Sequence, residues 1–167
     1  KSFKFDKNDV VLTSDKEHNS NLLPWQVNDK IEHRIFRFGD VEDFKEKVKG
    51  VRMVSVVHTS NLDGTSNPVK EMIKIAHENN AIVLLDAAQS APHKEVDVRK
   101  LDVDFLACSG HKMLGPSGIG VLYGKLKLLE NLNPFLVGGD TVKETTYTEH
   151  EFEDIPERFE AGLQNYA

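Results

Sequence analysis

Short apolar runs alternate along this chain with longer segments in which apolar residues recur at helical spacing. The apolar runs predict strands at residues 10–13, 35–38, 51–58, 81–86, 103–108 and 119–123. Helical spacing predicts helices at residues 19–27 and 41–48, and a third after Asn67-Pro68, with Asn67 as its N-cap. This order is typical of an α/β fold with a mainly parallel sheet and right-handed crossovers.

Composition and charge narrow the class of protein. The 167 residues include 39% hydrophobic and 29% charged residues, an ordinary globular balance, and no apolar run is long enough to cross a bilayer. The net charge of -6 argues against a nucleic-acid partner. The lone Cys108 excludes an intrachain disulfide framework and a multi-cysteine zinc site, so we expect a reducing, cytoplasmic setting.

The length fits one domain or a large piece of one, and we expect residues 1–167 to be a fragment of a longer protein. The acidic segment at residues 149–157 is predicted to be a solvated connection between elements.

Polar and ionisable side chains follow several of the predicted strands. In open α/β sheets, ligands bind beyond the carboxyl ends of the strands, so these side chains are expected to share one rim. They are His18, Asn61, Asp86, Gln89, Ser109, His111 and Lys112.

This set makes chemical sense around a pyridinium aldehyde phosphate. A lysine amine such as that of Lys112 bonds covalently to an aldehyde, and a carboxylate at a strand end, here Asp86, keeps a ring nitrogen protonated. Each assignment has a simpler alternative. Asp86 is equally typical of a helix N-cap, Lys112 of a surface lysine, and His18 of a satisfied polar residue near a helix start.

Five stretches, in this order and spacing, carry a resemblance to a known family. They are EHNSNLLPWQ, SNLDGTSNP, LLDAAQSAPH, DFLACSGHKMLGPSGIGVLYG and RFEAG. They closely resemble Suf-type cysteine desulfurases and the related selenocysteine lyases, and the resemblance covers nearly the whole chain. It implies the three-layer α/β/α large domain of fold-type I pyridoxal-phosphate enzymes, in which residues 118–123 would form the one antiparallel strand. The chain would be the central part of that domain.

The resemblance also implies a role for each rim residue. Lys112 would hold pyridoxal 5'-phosphate covalently, and His18 would stack on its ring; these two are the implied catalytic residues. The remaining residues would contact the cofactor: Asp86 at the ring nitrogen, Asn61 and Gln89 at the phenolic oxygen, and Ser109 and His111 at the phosphate.

The implied activity is conversion of L-cysteine to L-alanine, with the sulfur leaving as a persulfide for iron-sulfur cluster assembly. The implied partners are a second copy in a homodimer and a sulfur-acceptor protein. The family's nucleophilic cysteine, glycine-rich phosphate loop and substrate-binding arginine have no counterpart in this segment, so the segment alone is expected to be inactive. Cys108 does not match the nucleophile, and its apolar surroundings predict that it is buried. Leu163 stands where the family has a threonine that reaches the neighbouring subunit's phosphate.

Other functions fit less well. The glycines at 118 and 120 precede a strand, not the helix that a dinucleotide site needs, and the sequence around Ser117 lacks the final glycine of a nucleophile elbow. Three alternatives stay open: a selenocysteine lyase, another pyridoxal-phosphate enzyme of the aminotransferase class V type such as a kynureninase-like hydrolase, and a non-catalytic domain that keeps the fold.

Overall fold

The computed structural model describes residues 3–163, which divide into two compact units. The larger unit is formed by residues 5–124, and the smaller one by residues 3–4 and 125–163. No helix among these described residues is both long enough and apolar enough to cross a bilayer.

The larger unit is built around a six-stranded sheet in the order β2-β1-β3-β4-β5-β6. Its strands are β1 (Asp9–Ser14), β2 (Ile31–Phe36), β3 (Met53–Val57), β4 (Ile82–Asp86), β5 (Phe105–Ser109) and β6 (Gly120–Gly124). Its helices are α1 (Asn19–Gln26), α2 (Val41–Lys47), α3 (Val69–Glu78) and α4 (Val98–Leu101). All neighbouring strands are parallel except β5 and β6, which are antiparallel. The mainly parallel sheet and its single antiparallel strand are as predicted.

The strand order reverses between β1 and β3. The chain leaves β1 for the edge strand β2 and returns to the other side of β1 as β3. Right-handed crossovers that run in opposite directions place their helices on opposite faces of a sheet. The point between β1 and β3 is therefore the topological switch point, where α/β sheets bind ligands.

The main hydrophobic core lies on one face of this sheet. Val54 is the register partner of Val83, and Val56 of Leu85, so these side chains leave the sheet on the same side. They form one buried cluster with apolar residues of α2 and α3. On the opposite face, α1 contacts the sheet through Asn21, whose Oδ1 accepts a hydrogen bond from Ser55 Oγ at 2.5 Å. Helices thus cover both faces of the sheet.

In the larger unit, the second predicted strand and the predicted cap of α3 differ from the structure. The second strand begins at Ile31, four residues before the predicted start, because parallel pairing with β1 extends it through polar residues. Asn67 is not the N-cap of α3, which follows Pro68. Its side chain instead accepts a hydrogen bond from Gly39 N and donates one to Val57 O, both at 2.8 Å, and so joins the loop after β2 to the end of β3.

The smaller unit contains the short helix α5 (Leu126–Leu129) and an antiparallel hairpin of β7 (Val142–Thr145) and β8 (His150–Phe152). The acidic segment at residues 149–157 was predicted to be a solvated connection, and this prediction is wrong for its first part, which forms β8. Its side chains are largely exposed, so the strand depends on pairing with β7 and leaves no apolar pattern to detect.

Candidate active site

A pocket of about 500 Å³ opens at the carboxyl ends of β1, β3, β4 and β5. All seven side chains singled out in the sequence contribute to its wall: His18, Asn61, Asp86, Gln89, Ser109, His111 and Lys112. The rim predicted from strand-end polar residues therefore exists as one site. What each residue does there stays a prediction.

The floor of the pocket is one face of the sheet. Val57 is the register partner of Asp86, and Asp86 of Ala107, so these three side chains point to the same side. Ser109, two positions beyond Ala107, shares that side and lies at the end of its strand. The face opposite the main core thus presents a carboxylate and a hydroxyl in neighbouring strands.

Asp86 is half-buried and keeps one oxygen uncommitted. Its Oδ1 accepts a hydrogen bond from Ala88 N at 2.9 Å, which orients the carboxylate. Among the described residues, Oδ2 has no hydrogen-bond partner. The segment that follows is a series of turns and not a helix, so Asp86 does not serve as a helix N-cap.

Lys112 lies in a tight loop between the antiparallel strands β5 and β6. Residues Gly110–Met113 form a 3-10 turn, and the loop is closed by Gly110 N donating to Ile119 O at 2.8 Å. A Cβ at Gly110 would approach that carbonyl oxygen to 3.0 Å, so this closure favours glycine. Lys112 is half-buried, and its Nζ makes no hydrogen bond or ion pair within residues 3–163. Lys112 lines the pocket, and no described residue competes for its amine.

Cys108 is half-buried, so the prediction that it is buried is wrong. Its register partner on the short last strand is Val121, which is 55% exposed and leaves this part of the sheet open. Cys108 borders the pocket, yet strand alternation turns its side chain away from those of Ala107 and Ser109, toward the hydrophobic core that it contacts.

His18 is the N-cap of α1 and also lies in the pocket wall. Its Nδ1 accepts a hydrogen bond from Ser20 N at 3.2 Å and lies 3.1 Å from Ser20 Oγ, and the residue is exposed. The simpler alternative, a satisfied polar residue near a helix start, is therefore present. It does not exclude a second role, because a ring with Nδ1 as acceptor is held in one orientation while its face stays accessible.

The loop that carries Asn61 is tied down at both ends. Ser60 N donates to Thr65 O at 2.8 Å, and the Oγ1 of Thr59 pairs with the Oγ of Ser66 at the same distance. Asp63 forms a 2.7 Å ion pair with Lys16, two residues before His18, and this contact, together with hydrogen bonds from Thr65, lowers the pKa of Asp63 to about 2. The Asn61 loop and the start of α1 are thus linked beside the pocket.

Sequence reasoning missed Glu17 and Asn21. The carboxylate of Glu17 accepts hydrogen bonds from Ser14 N, Ser14 Oγ, Val57 N and Asn21 Nδ2. Burial raises its pKa, although all of these hydrogen bonds act in the opposite direction. The available signal was two polar residues four positions apart at the start of the predicted helix. Exposure to solvent is the simpler interpretation of such a pair.

The side chains present suit pyridoxal phosphate. An amine without a protein partner, a strand-end carboxylate with one uncommitted oxygen, and hydroxyl, amide and imidazole groups are what an aldehyde, a pyridinium nitrogen and a phosphate would need. Residues 3–163 contain no cluster of three or more His, Cys, Asp or Glu side chains able to hold a metal ion.

Comparison with known proteins agrees with this geometry. The Aminotransferase class-V profile matches residues 1–167. A cysteine desulfurase from Haloferax volcanii is 44% identical over 163 residues, which are 92% of this chain and 38% of the relative. A probable cysteine desulfurase from Pyrococcus abyssi is 44% identical over 170 residues, 96% of this chain and 42% of the relative.

Solved structures give the same result. The apo structure of cysteine desulfurase from Thermococcus onnurineus superposes with a TM-score of 0.90 at 42% identity, covering 96% of this chain and 42% of that one. A cysteine desulfurase from Escherichia coli follows with a TM-score of 0.88 at 35% identity, covering 97% and 43%. The chain thus spans about two fifths of the length of the relatives it matches. By its sequence and its fold, the chain belongs to the aminotransferase class-V family.

Proposed function

We propose that this chain forms the cofactor-binding core of a pyridoxal-phosphate-dependent cysteine desulfurase, which converts L-cysteine to L-alanine and passes the sulfur on as a persulfide. The observation that carries the proposal is the convergence of the seven strand-end and loop side chains on one pocket at the switch point of the sheet. Relatives at 44% identity named as cysteine desulfurases support the choice of substrate.

Each pocket residue has a task in this proposal. Lys112 would bond through Nζ to the aldehyde carbon, and Asp86 would accept a hydrogen bond from the protonated ring nitrogen. Asn61 and Gln89 would bind the phenolic oxygen. Ser109 and His111 would hold the phosphate, and His18 would cover the ring face. When bound, the cofactor supplies an electron sink for the bonds at the substrate's α-carbon.

The nucleophile that takes the sulfur is proposed to come from outside this segment. The nucleophile must be a cysteine thiolate that reaches the substrate. Cys108 does not fit, because it packs toward the core on the face of the sheet opposite Asp86 and Ser109. We further propose that the protein acts as a homodimer in the cytoplasm and delivers sulfur to an acceptor protein of iron-sulfur cluster assembly. These assignments follow the resemblance in the sequence.

The test uses full-length protein purified with pyridoxal phosphate. We expect a visible absorption band, sulfide release from L-cysteine in the presence of a reductant, and, after borohydride reduction and peptide mapping, a pyridoxyl group on Lys112. Lys112→Ala should lose the band and the activity. Lys74→Ala is the matched control, because Lys74 is an exposed lysine on α3, outside the pocket. A label on another lysine, or a colourless active protein, would refute the proposal.

L-Selenocysteine in the same assay separates the alternatives. Faster release of selenide than of sulfide would favour a selenocysteine lyase, and absence of both with normal cofactor content would favour another class V reaction.

A further inference from the structure

Glu17 occupies the gap where β1 and β3 separate. The two strands pair only through Val11 with Met53 and Leu12 with Val54, so their carboxyl ends are no longer joined to each other. The Glu17 carboxylate bridges this gap, because Oε1 accepts from Ser14 N at 3.2 Å and from Val57 N at 3.0 Å. The ends of β1 and β3 thus both donate a backbone hydrogen bond to Glu17 Oε1.

The second oxygen connects the same point to α1. Glu17 Oε2 accepts from Asn21 Nδ2 at 2.6 Å, and Asn21 Oδ1 accepts in turn from Ser55 Oγ at 2.5 Å. Asn21 is buried, and its side chain also borders the pocket. One carboxylate therefore joins β1, β3 and the first turn of α1.

His18 follows Glu17 directly in the chain. Its carbonyl oxygen accepts from Asn21 N at 2.8 Å and from Leu22 N at 3.1 Å, and its Nδ1 accepts from Ser20 N. The imidazole is therefore held by the first turn of α1, and the position of that turn depends on Glu17.

We propose that Glu17 is a positioning residue, whose hydrogen bonds to β1, β3 and α1 fix the imidazole of His18 at the mouth of the pocket. The task of the positioned ring rests on the proposed function. Its placement does not, since every contact involved lies within the protein.

Hydrogen bonding, more than charge, is expected to carry this role. Glu17→Gln keeps an oxygen for the two strand N–H groups, and Asn21 can turn its amide over to accept from the new NH₂ group while Ser55 Oγ accepts from Asn21. Glu17→Ala removes every one of these ties. The conservative variant should therefore restore what the truncation loses.

The experiment follows the His18 ring nitrogens by NMR in full-length protein without cofactor. In the wild type we expect one tautomer, with Nδ1 unprotonated and Nε2 protonated. Glu17→Ala should average the two nitrogen shifts, and Glu17→Gln should retain the wild-type pattern. With cofactor and cysteine, Glu17→Ala should lower the rate by about 100-fold, as expected for a displaced pocket group.

Asp104→Ala is the matched control. Asp104 is also a buried carboxylate that accepts from a strand amide, Val83 N at 2.8 Å, but it lies at the amino end of the strands, away from the pocket. This variant should lose stability while the His18 shifts stay unchanged.

Unchanged His18 shifts in folded Glu17→Ala would overturn the proposal, as would equal changes in Asp104→Ala. If Glu17→Ala does not fold, Ser14→Ala removes one hydrogen bond to Glu17 and should move the His18 shifts in the direction of averaging; no movement there would also overturn it. Because the NMR measurement needs no cofactor, a protein that fails to bind pyridoxal phosphate would defeat the proposed function and leave this inference testable.

Discussion

Asp86 and Ala107 are register partners at the carboxyl ends of β4 and β5, so the carboxylate leaves the sheet on the same side as Ser109. A carboxyl group and a hydroxyl thereby lie on the same face of the sheet, in neighbouring strands. This arrangement is the basis for the first prediction.

Asp86→Asn should leave the fold intact and reduce turnover by about 100- to 1,000-fold, the cost typical of losing one preorganised electrostatic contact. Asparagine keeps the acceptor for Ala88 N but loses the charge that would hold a ring proton. The measurements are the steady-state rate and the thermal midpoint. Asp97→Asn is the control, because asparagine also caps α4 well and Asp97 lies outside the pocket. Normal turnover in Asp86→Asn would exclude the assigned role.

Cys108→Ala should retain wild-type sulfide release in the full-length protein. The Sγ atom contacts the hydrophobic core, so its loss should cost about 1 kcal/mol of folding free energy and no chemistry. Activity, cofactor content and urea unfolding are compared side by side. Loss of sulfide release at normal cofactor content would show that Cys108 takes part in the reaction.

Gly120→Ala should destabilise the protein by about 1–3 kcal/mol, in the range for an overpacked contact. An added Cβ would lie 2.9 Å from the carbonyl oxygen of Cys108, and this neighbour is backbone that cannot turn aside. Gly138→Ala is the control, since a Cβ there meets nothing within 4 Å. Equal unfolding midpoints for the two variants would contradict the close approach of β5 and β6.

Glu17 should make the protein less stable as the pH rises. A typical salt-bridged carboxylate has the opposite effect. Burial raises its folded-state pKa above the ordinary value of 4.5, so ionisation costs more in the folded than in the unfolded protein. The contribution of Glu17 to the free energy of unfolding is fully present below pH 4.5 and is lost as the pH rises through the folded-state pKa. Relative to Glu17→Gln, the wild type should lose stability over that interval. Unfolding by urea from pH 4 to 8, without cofactor, measures the difference, and a rising curve would contradict the prediction.

Strands and the location of the pocket could be predicted because buried parallel strands leave dense apolar runs and their ends carry polar residues. Asp86 and Lys112 were found in this way. The amide of Asn67 could not be assigned, because its partners, Gly39 and Val57, are distant in sequence. An asparagine before a proline is typical of a helix N-cap, and only the folded structure shows that Asn67 has other hydrogen-bond partners.

Glu17 escaped prediction for a related reason. Its importance arises from the gap between β1 and β3, which depends on strand order and has no trace in local periodicity. The β7 and β8 hairpin was missed because its exposed side chains give no alternation to detect.

A hydrogen bond from Gly110 N to Ile119 O closes the Lys112 loop where it leaves and re-enters the sheet. A second hydrogen bond, from Gly115 N to Gly110 O, closes the first half of the loop. Both bonds hold the 3-10 turn that carries the lysine, and neither involves residues 116–118. Residues 116–118 are exposed, so a substitution there can change the surface of the loop while both bonds stay in place. For an engineer, this exposed segment is the natural place to attach a spectroscopic label beside the pocket.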